Sequence, residues 1–145
     1  MLLRLLADLF DPLLALFALV APLFRRPRLL RPAIVYYVCA ATAVAMVYVL
    51  RAVDARYQIW ASGGLDFSTH TAFATSLAVS LIALDRRWLA PALTALALDF
   101  ALMVVLRYHS VLDIVYSAPL AAAVAALLHF AGNRRFQGQQ PFRRQ

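Results

Sequence analysis

Four long apolar runs dominate the sequence, and each has about the length that an α-helix needs to cross a bilayer. Because a helix rises about 1.5 Å per residue, about 20 mainly apolar residues span the hydrocarbon core. The runs cover residues 33–50, 67–84, 88–106 and 110–130, and nearly all of the charged residues lie outside them. This pattern predicts an all-α integral membrane bundle.

The N-terminal segment leaves two interpretations open. Residues 1–24 are mostly apolar, but Arg4, Asp8 and Asp11 lie at positions i, i+4 and i+7 and form one polar stripe. Either residues 2–11 form an amphipathic segment in the interface and Pro12 begins a short span, or the whole segment crosses with its stripe facing protein. A cleaved signal peptide is not expected, because the aspartates interrupt its apolar core. We therefore expect about five transmembrane helices in residues 1–131 and a polar, basic tail in 132–145.

The charges indicate membrane topology and not nucleic-acid binding. All 14 basic residues are arginine and the net charge is +7, but the arginines lie mainly at the ends of apolar runs. With five spans, ten arginines share the side of residues 25–32, 85–88 and the tail, and four lie on the other side. The positive-inside rule predicts that the C-terminus is cytoplasmic and that residues 51–69 and 107–109 face outward. The arginine-only usage favours a bacterial inner membrane with a periplasmic site.

Several ionisable side chains fall on this outward side, where they predict phosphoryl-transfer chemistry. His109 and Asp113 lie one helical turn apart, so the aspartate can accept a ring proton and leave the other nitrogen nucleophilic. His70, at the start of a span, can transfer a proton. Arginines bind phosphate oxygens through paired hydrogen bonds, and the candidates here are Arg51, Arg56 and Arg107. No metal or organic cofactor is required, and the single Cys39 provides no cysteine metal cluster.

The same residues resemble two motifs of the type 2 phosphatidic acid phosphatase superfamily, and most closely those of its sphingomyelin synthase branch. The branch pattern Cys-Gly-Asp-x-x-x-Ser-x-His-Thr is similar to residues 62–71, matching at Gly63, Ser68, His70 and Thr71. The pattern His-x-x-x-Asp matches His109 and Asp113, and Tyr-x-x-Arg matches Tyr48 and Arg51. Ser62 and Gly64 replace the family's Cys and Asp, so either Asp66 takes the role of that Asp or the role is absent.

The resemblance implies that His109 is the nucleophile, that Asp113 orients it and that His70 handles the proton. We expect a lipid phosphotransferase or phospholipase-C-type enzyme that moves a phospho-head group from a glycerophospholipid to a lipid alcohol, such as ceramide or diacylglycerol, or to water. Accessory roles are expected for Asp66, Ser68, Tyr108 and Asp99. The oligomeric state, including a homo-oligomer, stays open.

Two other functions compete with this one. A lipid phosphate phosphatase of the parent superfamily would use the same histidines. Alternatively, the protein is a non-catalytic transport or scaffold protein in which the histidines are interfacial or relay groups. Asp99 lies deep in its span, where it either lines the cleft or hydrogen-bonds a neighbouring Ser or Thr. We expect Asp8 and Asp11 to pair with Arg4 in the interface, with a place in the outward site as the alternative.

Overall fold

A computed structural model describes residues 1–24 and 30–137 of the chain, and these residues are helical with short connections and no strands. The five α-helices are α1 (Leu2–Val20), α2 (Leu30–Tyr57), α3 (Thr69–Leu84), α4 (Leu89–Val105) and α5 (Val111–Gln137). Single 3₁₀ turns at Ala21–Phe24, Ala61–Gly63 and Arg86–Trp88 lie in three of the connections.

The predicted membrane bundle is confirmed. Four helical segments are long and apolar enough to cross a bilayer, namely Leu2–Phe24, Pro32–Tyr57, Arg86–Val105 and Val111–Arg135. The fifth helix, α3, is apolar but only 16 residues long. At about 1.5 Å per residue it measures about 24 Å, which is shorter than a typical hydrocarbon core of about 30 Å.

Two helices extend beyond the predicted apolar runs. α2 continues through Arg51 and Arg56 to Tyr57, because arginine is a good helix former and no glycine or proline intervenes. α5 continues to Gln137, so the first residues of the predicted tail are helical. The rest of that tail, residues 138–145, and residues 25–29 of the predicted cytoplasmic loop lie outside the described residues.

α1 is one continuous helix through Pro12, so its length suits a crossing segment. The face turned to the bundle carries Ala7 and Ala18, which are buried, and the half-buried Asp11 between them. Arg4 and Asp8 are exposed, so the predicted polar stripe does not face protein as a unit. Only its last member, Asp11, reaches the interior.

The short helix α3 forms the centre of the bundle and contacts the other four α-helices. Ten of its 16 residues are buried, and seven of these are alanine, serine or threonine while the other three are leucine. Small side chains allow neighbouring helices to approach closely, which is the usual packing mode when lipid removes the hydrophobic driving force between helices. The surrounding helices therefore shield a helix that is too short to match the bilayer.

Gly132 shows how closely α2 and α5 approach each other. A Cβ atom at this position would lie 2.7 Å from Cys39 Sγ and 3.0 Å from Val35 Cγ1. Both distances are too short for carbon contacts, so the glycine allows this helix crossing.

We expect Gly132→Ala to lower the free energy of unfolding by about 1–3 kcal/mol, the usual cost of overpacking. Thermal denaturation in detergent would measure the loss. Ala131→Val is the matched control, because the neighbouring Ala131 is exposed. Adding Cys39→Ala to Gly132→Ala should restore part of the loss, whereas an unchanged melting temperature in the single variant would contradict this packing.

Candidate functional site

The outward-predicted ionisable residues gather at one end of the bundle in two linked groups. The first group surrounds His109 on the connection between α4 and α5, and includes Asp66, Arg51 and Asp113. The second group surrounds His70 in the first turn of α3. The two rings are close enough for the charge of one to act on the other.

Two helix ends hold the His109 segment in place. At the end of α4 the backbone N–H groups of Arg107 and Tyr108 donate to the carbonyls of Val104 and Met103. This is the Schellman pattern, in which a left-handed residue follows the helix. Arg107 takes that position with φ 58°, where glycine is the usual residue.

The start of α5 is a capping box. The Asp113 backbone N–H donates to Ser110 Oγ over 3.2 Å, and the Ser110 backbone N–H donates to Asp113 Oδ2 over 2.8 Å. The Ser110 hydroxyl also donates to Asp113 Oδ2, at 2.7 Å. His109 therefore lies directly between two well-defined helix ends.

Asp113 also joins this connection to the loop before α3. Its second oxygen, Oδ1, accepts a hydrogen bond of 2.8 Å from the backbone N–H of Asp66. The sequence predicts that Asp113 orients the His109 ring directly, but both carboxylate oxygens are occupied by these other donors. Asp113 instead fixes the backbone on either side of the site, and only its charge acts on the ring.

The carboxylate that faces the His109 ring belongs to Asp66. Asp66 Oδ2 lies 3.7 Å from His109 Nδ1, and Arg51 Nη1 donates to Asp66 Oδ1 over 3.2 Å. Arg51 also lies 3.5 Å from Asp54 Oδ2. Asp66 is 58% exposed, whereas the His109 side chain is 12% exposed. The exposed carboxylate of Asp66 thus lies between Arg51, a phosphate-binding candidate, and the largely buried imidazole of His109.

Burial lowers the pKa of His109 below its usual value of about 6.5, and the charges of His70 and Arg51 act in the same direction. The carboxylates of Asp66 and Asp113 oppose this shift. Neutral pH therefore leaves the imidazole uncharged, which is the form that a nucleophile or base requires.

His70 has a carboxylate partner from α1. Its Nδ1 lies 2.8 Å from Asp11 Oδ2, which leaves Nε2 available on a half-exposed side chain. The expected pairing of Asp11 with Arg4 is therefore wrong, and the alternative place in the outward site is the observed one. A cleft of about 220 Å³ opens beside this pair and is lined by Asp11, Pro12, Tyr48, Thr69, His70 and Phe73.

Asp99 adds a third acidic group to the His70 side of the site. It is fully buried in α4, and its charge interacts with Asp11 and His70. Neither of its carboxyl oxygens has a hydrogen-bond partner among the described residues. The predicted alternative of a Ser or Thr partner is thus not observed, and the unpartnered carboxyl is energetically costly at this depth.

The remaining predicted residues occupy the edge of the site or stabilise it. Ser68 is the buried N-cap of α3, and its backbone N–H donates to Ser117 Oγ on α5. Tyr108 and Arg107 are exposed on the α4–α5 connection. Arg56 is exposed near the end of α2, with its guanidinium 5.9 Å from the centroid of the Tyr57 ring.

Sequence reasoning missed two residues that shape this end of the bundle. Asp54 is buried, accepts a hydrogen bond from the Trp60 backbone N–H and pairs with Arg51. Ser117 anchors the start of α3. The i, i+3 spacing of Arg51 and Asp54 was the available signal for the first, whereas an isolated serine inside an apolar run gave none for the second.

The arrangement provides two imidazoles with carboxylate neighbours and an arginine at one end of an apolar bundle. These are the groups that nucleophilic attack, proton transfer and anion binding require. Within residues 1–24 and 30–137, no three His, Cys or Asp side chains are grouped as ligands for a metal ion.

Comparison with protein-family models, curated proteins and solved structures finds no match for this chain. The resemblance described above thus stays a prediction, and the function must be argued from the geometry of the site.

The two aspartates near His109 should respond differently to substitution. We expect Asp113→Asn to lower the free energy of unfolding by about 1–3 kcal/mol, because it weakens hydrogen bonds to a charged acceptor. Asp66→Asn should change thermal stability by less than about 1 kcal/mol, because its exposed ion pair contributes little. Equal effects of the two substitutions on the melting temperature would contradict the structural role of Asp113.

The pH dependence of His109 follows from its burial. We expect its titration midpoint to lie below about 6.5, and Asp66→Asn should lower it further because that carboxylate favours the charged ring. Because the unfolded chain binds this proton at a higher pH than the folded chain, the stability contributed by the neutral His109 ring is lost as pH falls from the unfolded pKa through the lower folded pKa. NMR of histidine-labelled protein would measure the midpoint, with His109→Gln to assign the signal. A midpoint above 6.5 would contradict the structure.

Proposed function

We propose that the protein is an integral membrane enzyme that cleaves a phospho-head group from a glycerophospholipid through a covalent phosphohistidine at His109. The head group then passes to a lipid alcohol or to water. One observation carries this proposal: a buried imidazole and the arginine Arg51 flank the same Asp66 carboxylate, and a second imidazole with its own carboxylate lies at the same end of the bundle.

The attacking atom in this proposal is Nε2 of His109. Nδ1 is buried and faces Asp66, so a proton on Nδ1 interacts with the carboxylate while Nε2 carries the free electron pair. Charge on Asp66 stabilises the imidazolium that forms as the ring bonds to phosphorus. The lowered pKa of His109 keeps the ring neutral before attack.

In the first step, the Nε2–P bond forms and the P–O bond to the diacylglycerol oxygen breaks. His70 in its protonated form donates a proton from Nε2 to that leaving oxygen, while Asp11 holds its Nδ1. Arg51 has further N–H groups beyond the one bound to Asp66, and these neutralise charge on the phosphoryl oxygens. The products are diacylglycerol and a head group attached to His109.

In the second step, neutral His70 removes the proton from the incoming alcohol or water. The new P–O bond forms, the P–N bond breaks and His109 returns to its neutral state, with its proton on Nδ1. His70 ends protonated, ready for the next cycle, so both histidines are regenerated.

The surroundings of the site suit a lipid substrate. The site is recessed, because His70 meets Asp11 about 14 Å along α1 from its first residue. An apolar groove of about 380 Å³ runs between α4 and α5 next to the His109 connection. Its walls include Phe100, Val104 and Val115, which would contact an acyl chain while the phosphate reaches the histidines. With the arginine-rich end in the cytoplasm, this site faces the periplasm of a bacterial inner membrane.

The first test is lipid mass spectrometry on the purified protein in nanodiscs. Phosphatidylcholine, phosphatidylethanolamine, phosphatidylglycerol and phosphatidic acid are supplied separately, with and without ceramide. We expect the wild type to form diacylglycerol from at least one of the diester lipids and His109→Ala to form none. His70→Ala should be slower by about 10²–10⁴-fold, the usual contribution of general acid–base catalysis.

Arg51→Gln and Arg87→Gln form a matched pair for the same assay. Both arginines are about half-exposed and pair with an aspartate, but they lie at opposite ends of the bundle. Arg51→Gln should reduce kcat/KM and Arg87→Gln should not. Turnover of phosphatidic acid alone would indicate the lipid phosphatase instead, and no lipid change in a folded wild type would favour the non-catalytic protein.

A further inference from the structure

Another cavity lies at the opposite end of the bundle, far along α3 and α5 from the site above. It has a volume of about 640 Å³ and opens between the ends of these two helices and the α3–α4 connection. This volume is in the range of pockets that bind small molecules and lipid head groups. None of the catalytic candidates lines it.

One arginine lines the cavity, and a second packs on a residue of the lining. Arg86, in the α3–α4 connection, lines it directly. On the α5 side, the Arg134 guanidinium lies 4.4 Å from the centroid of the Phe130 ring, which is itself part of the lining. Asp85 also lines the mouth, but Arg87 Nε lies 3.3 Å from its Oδ2 and compensates its charge. The mouth is therefore positively charged overall.

The inner wall combines apolar groups with one buried histidine. His129 is 4% exposed, and its Nε2 lies 2.9 Å from Ser80 Oγ. Because the Ser80 hydroxyl donates its hydrogen to the Ser76 carbonyl, the histidine nitrogen must be the donor in this pair. The His129–Ser80 pair is thus satisfied within the protein, and apolar side chains such as Ile82 and Phe130 also line the cavity.

We infer that this cavity binds an anionic phospholipid from the leaflet on the arginine-rich side. The arginines at the mouth would bind the phosphate, and the apolar wall would contact the acyl chains. Basic pockets between transmembrane helices on the cytoplasmic side have this charge pattern when they bind anionic lipids. The inference is independent of the proposed catalytic function, because the two sites share no residue.

Native mass spectrometry of the full chain in detergent tests the site. Delipidated protein is mixed with phosphatidylglycerol or with phosphatidylcholine of the same acyl composition, and the bound fraction is measured. We expect wild type to prefer phosphatidylglycerol and Arg86→Gln to weaken that binding about fivefold, the effect of one arginine at an anionic lipid surface. Ala126→Trp, which fills the cavity from an exposed lining position without changing charge, should reduce binding as well.

Arg135→Gln is the matched control, because it removes the same charge at the same end of the bundle from an exposed residue that does not line the cavity. It should bind phosphatidylglycerol as wild type does, within about twofold. Equal losses in both arginine variants would show general surface attraction and overturn the inference, as would a wild type without lipid preference. Inorganic phosphate is the third ligand tested. If it competes fully with the lipid at millimolar concentration, the site binds a free anion and the inference of a lipid site is overturned.

Discussion

The carboxylate of Asp113 is the interaction on which the candidate site depends. One oxygen caps α5 through Ser110, and the other holds the backbone N–H of Asp66, 47 positions earlier in the chain. These bonds bring the loop before α3 and the α4–α5 connection into one unit, so that Asp66 comes to face His109. Since the bonds have a charged acceptor in a weakly hydrated environment, each is stronger than a neutral hydrogen bond at the surface. The sequence predicts that Asp113 acts directly on the His109 ring. In the structure it instead supports the site by fixing the backbone of the loop before α3 and of the α4–α5 connection.

The short length of α3 determines where along the bundle the His70 side of the site lies. A helix of about 24 Å cannot match the bilayer by itself, but it is stable at the centre of four longer helices. Its first turn consequently starts below the ends of α1 and α2, and His70 meets a residue in the middle of α1. A reactive group recessed in this way can be reached by a lipid whose phosphate enters between helices, whereas a soluble phosphate ester would have to displace the surrounding apolar groups.

The sequence predicts the helices well because membrane-spanning runs are long and strongly apolar, and the clustering of His109 and Asp66 at one end follows from alternating spans. The partners of individual side chains were harder to predict. Local spacing in the sequence predicts that Asp11 pairs with Arg4, yet its partner is His70, 59 positions away. In the same way, the His-x-x-x-Asp spacing predicts that the Asp113 carboxylate contacts the His109 ring. In the structure that carboxylate forms a capping box with Ser110. Contacts between helices depend on rotation about each helix axis, which apolar runs fix only loosely when most of their residues are equally hydrophobic.

The conformation of Arg107 carries a local energetic cost at this end of the protein. A left-handed backbone at a non-glycine residue costs about 1 kcal/mol, and glycine would end α4 without that cost. The chain instead places a guanidinium there, two residues before His109 and exposed on the outward-predicted side. The burial of Asp99 also costs free energy, because its carboxyl oxygens have no hydrogen-bond partners in the described part of the chain. Both features fit the function proposed above, because a site that binds an anion and moves protons needs cationic and acidic groups where packing disfavours them.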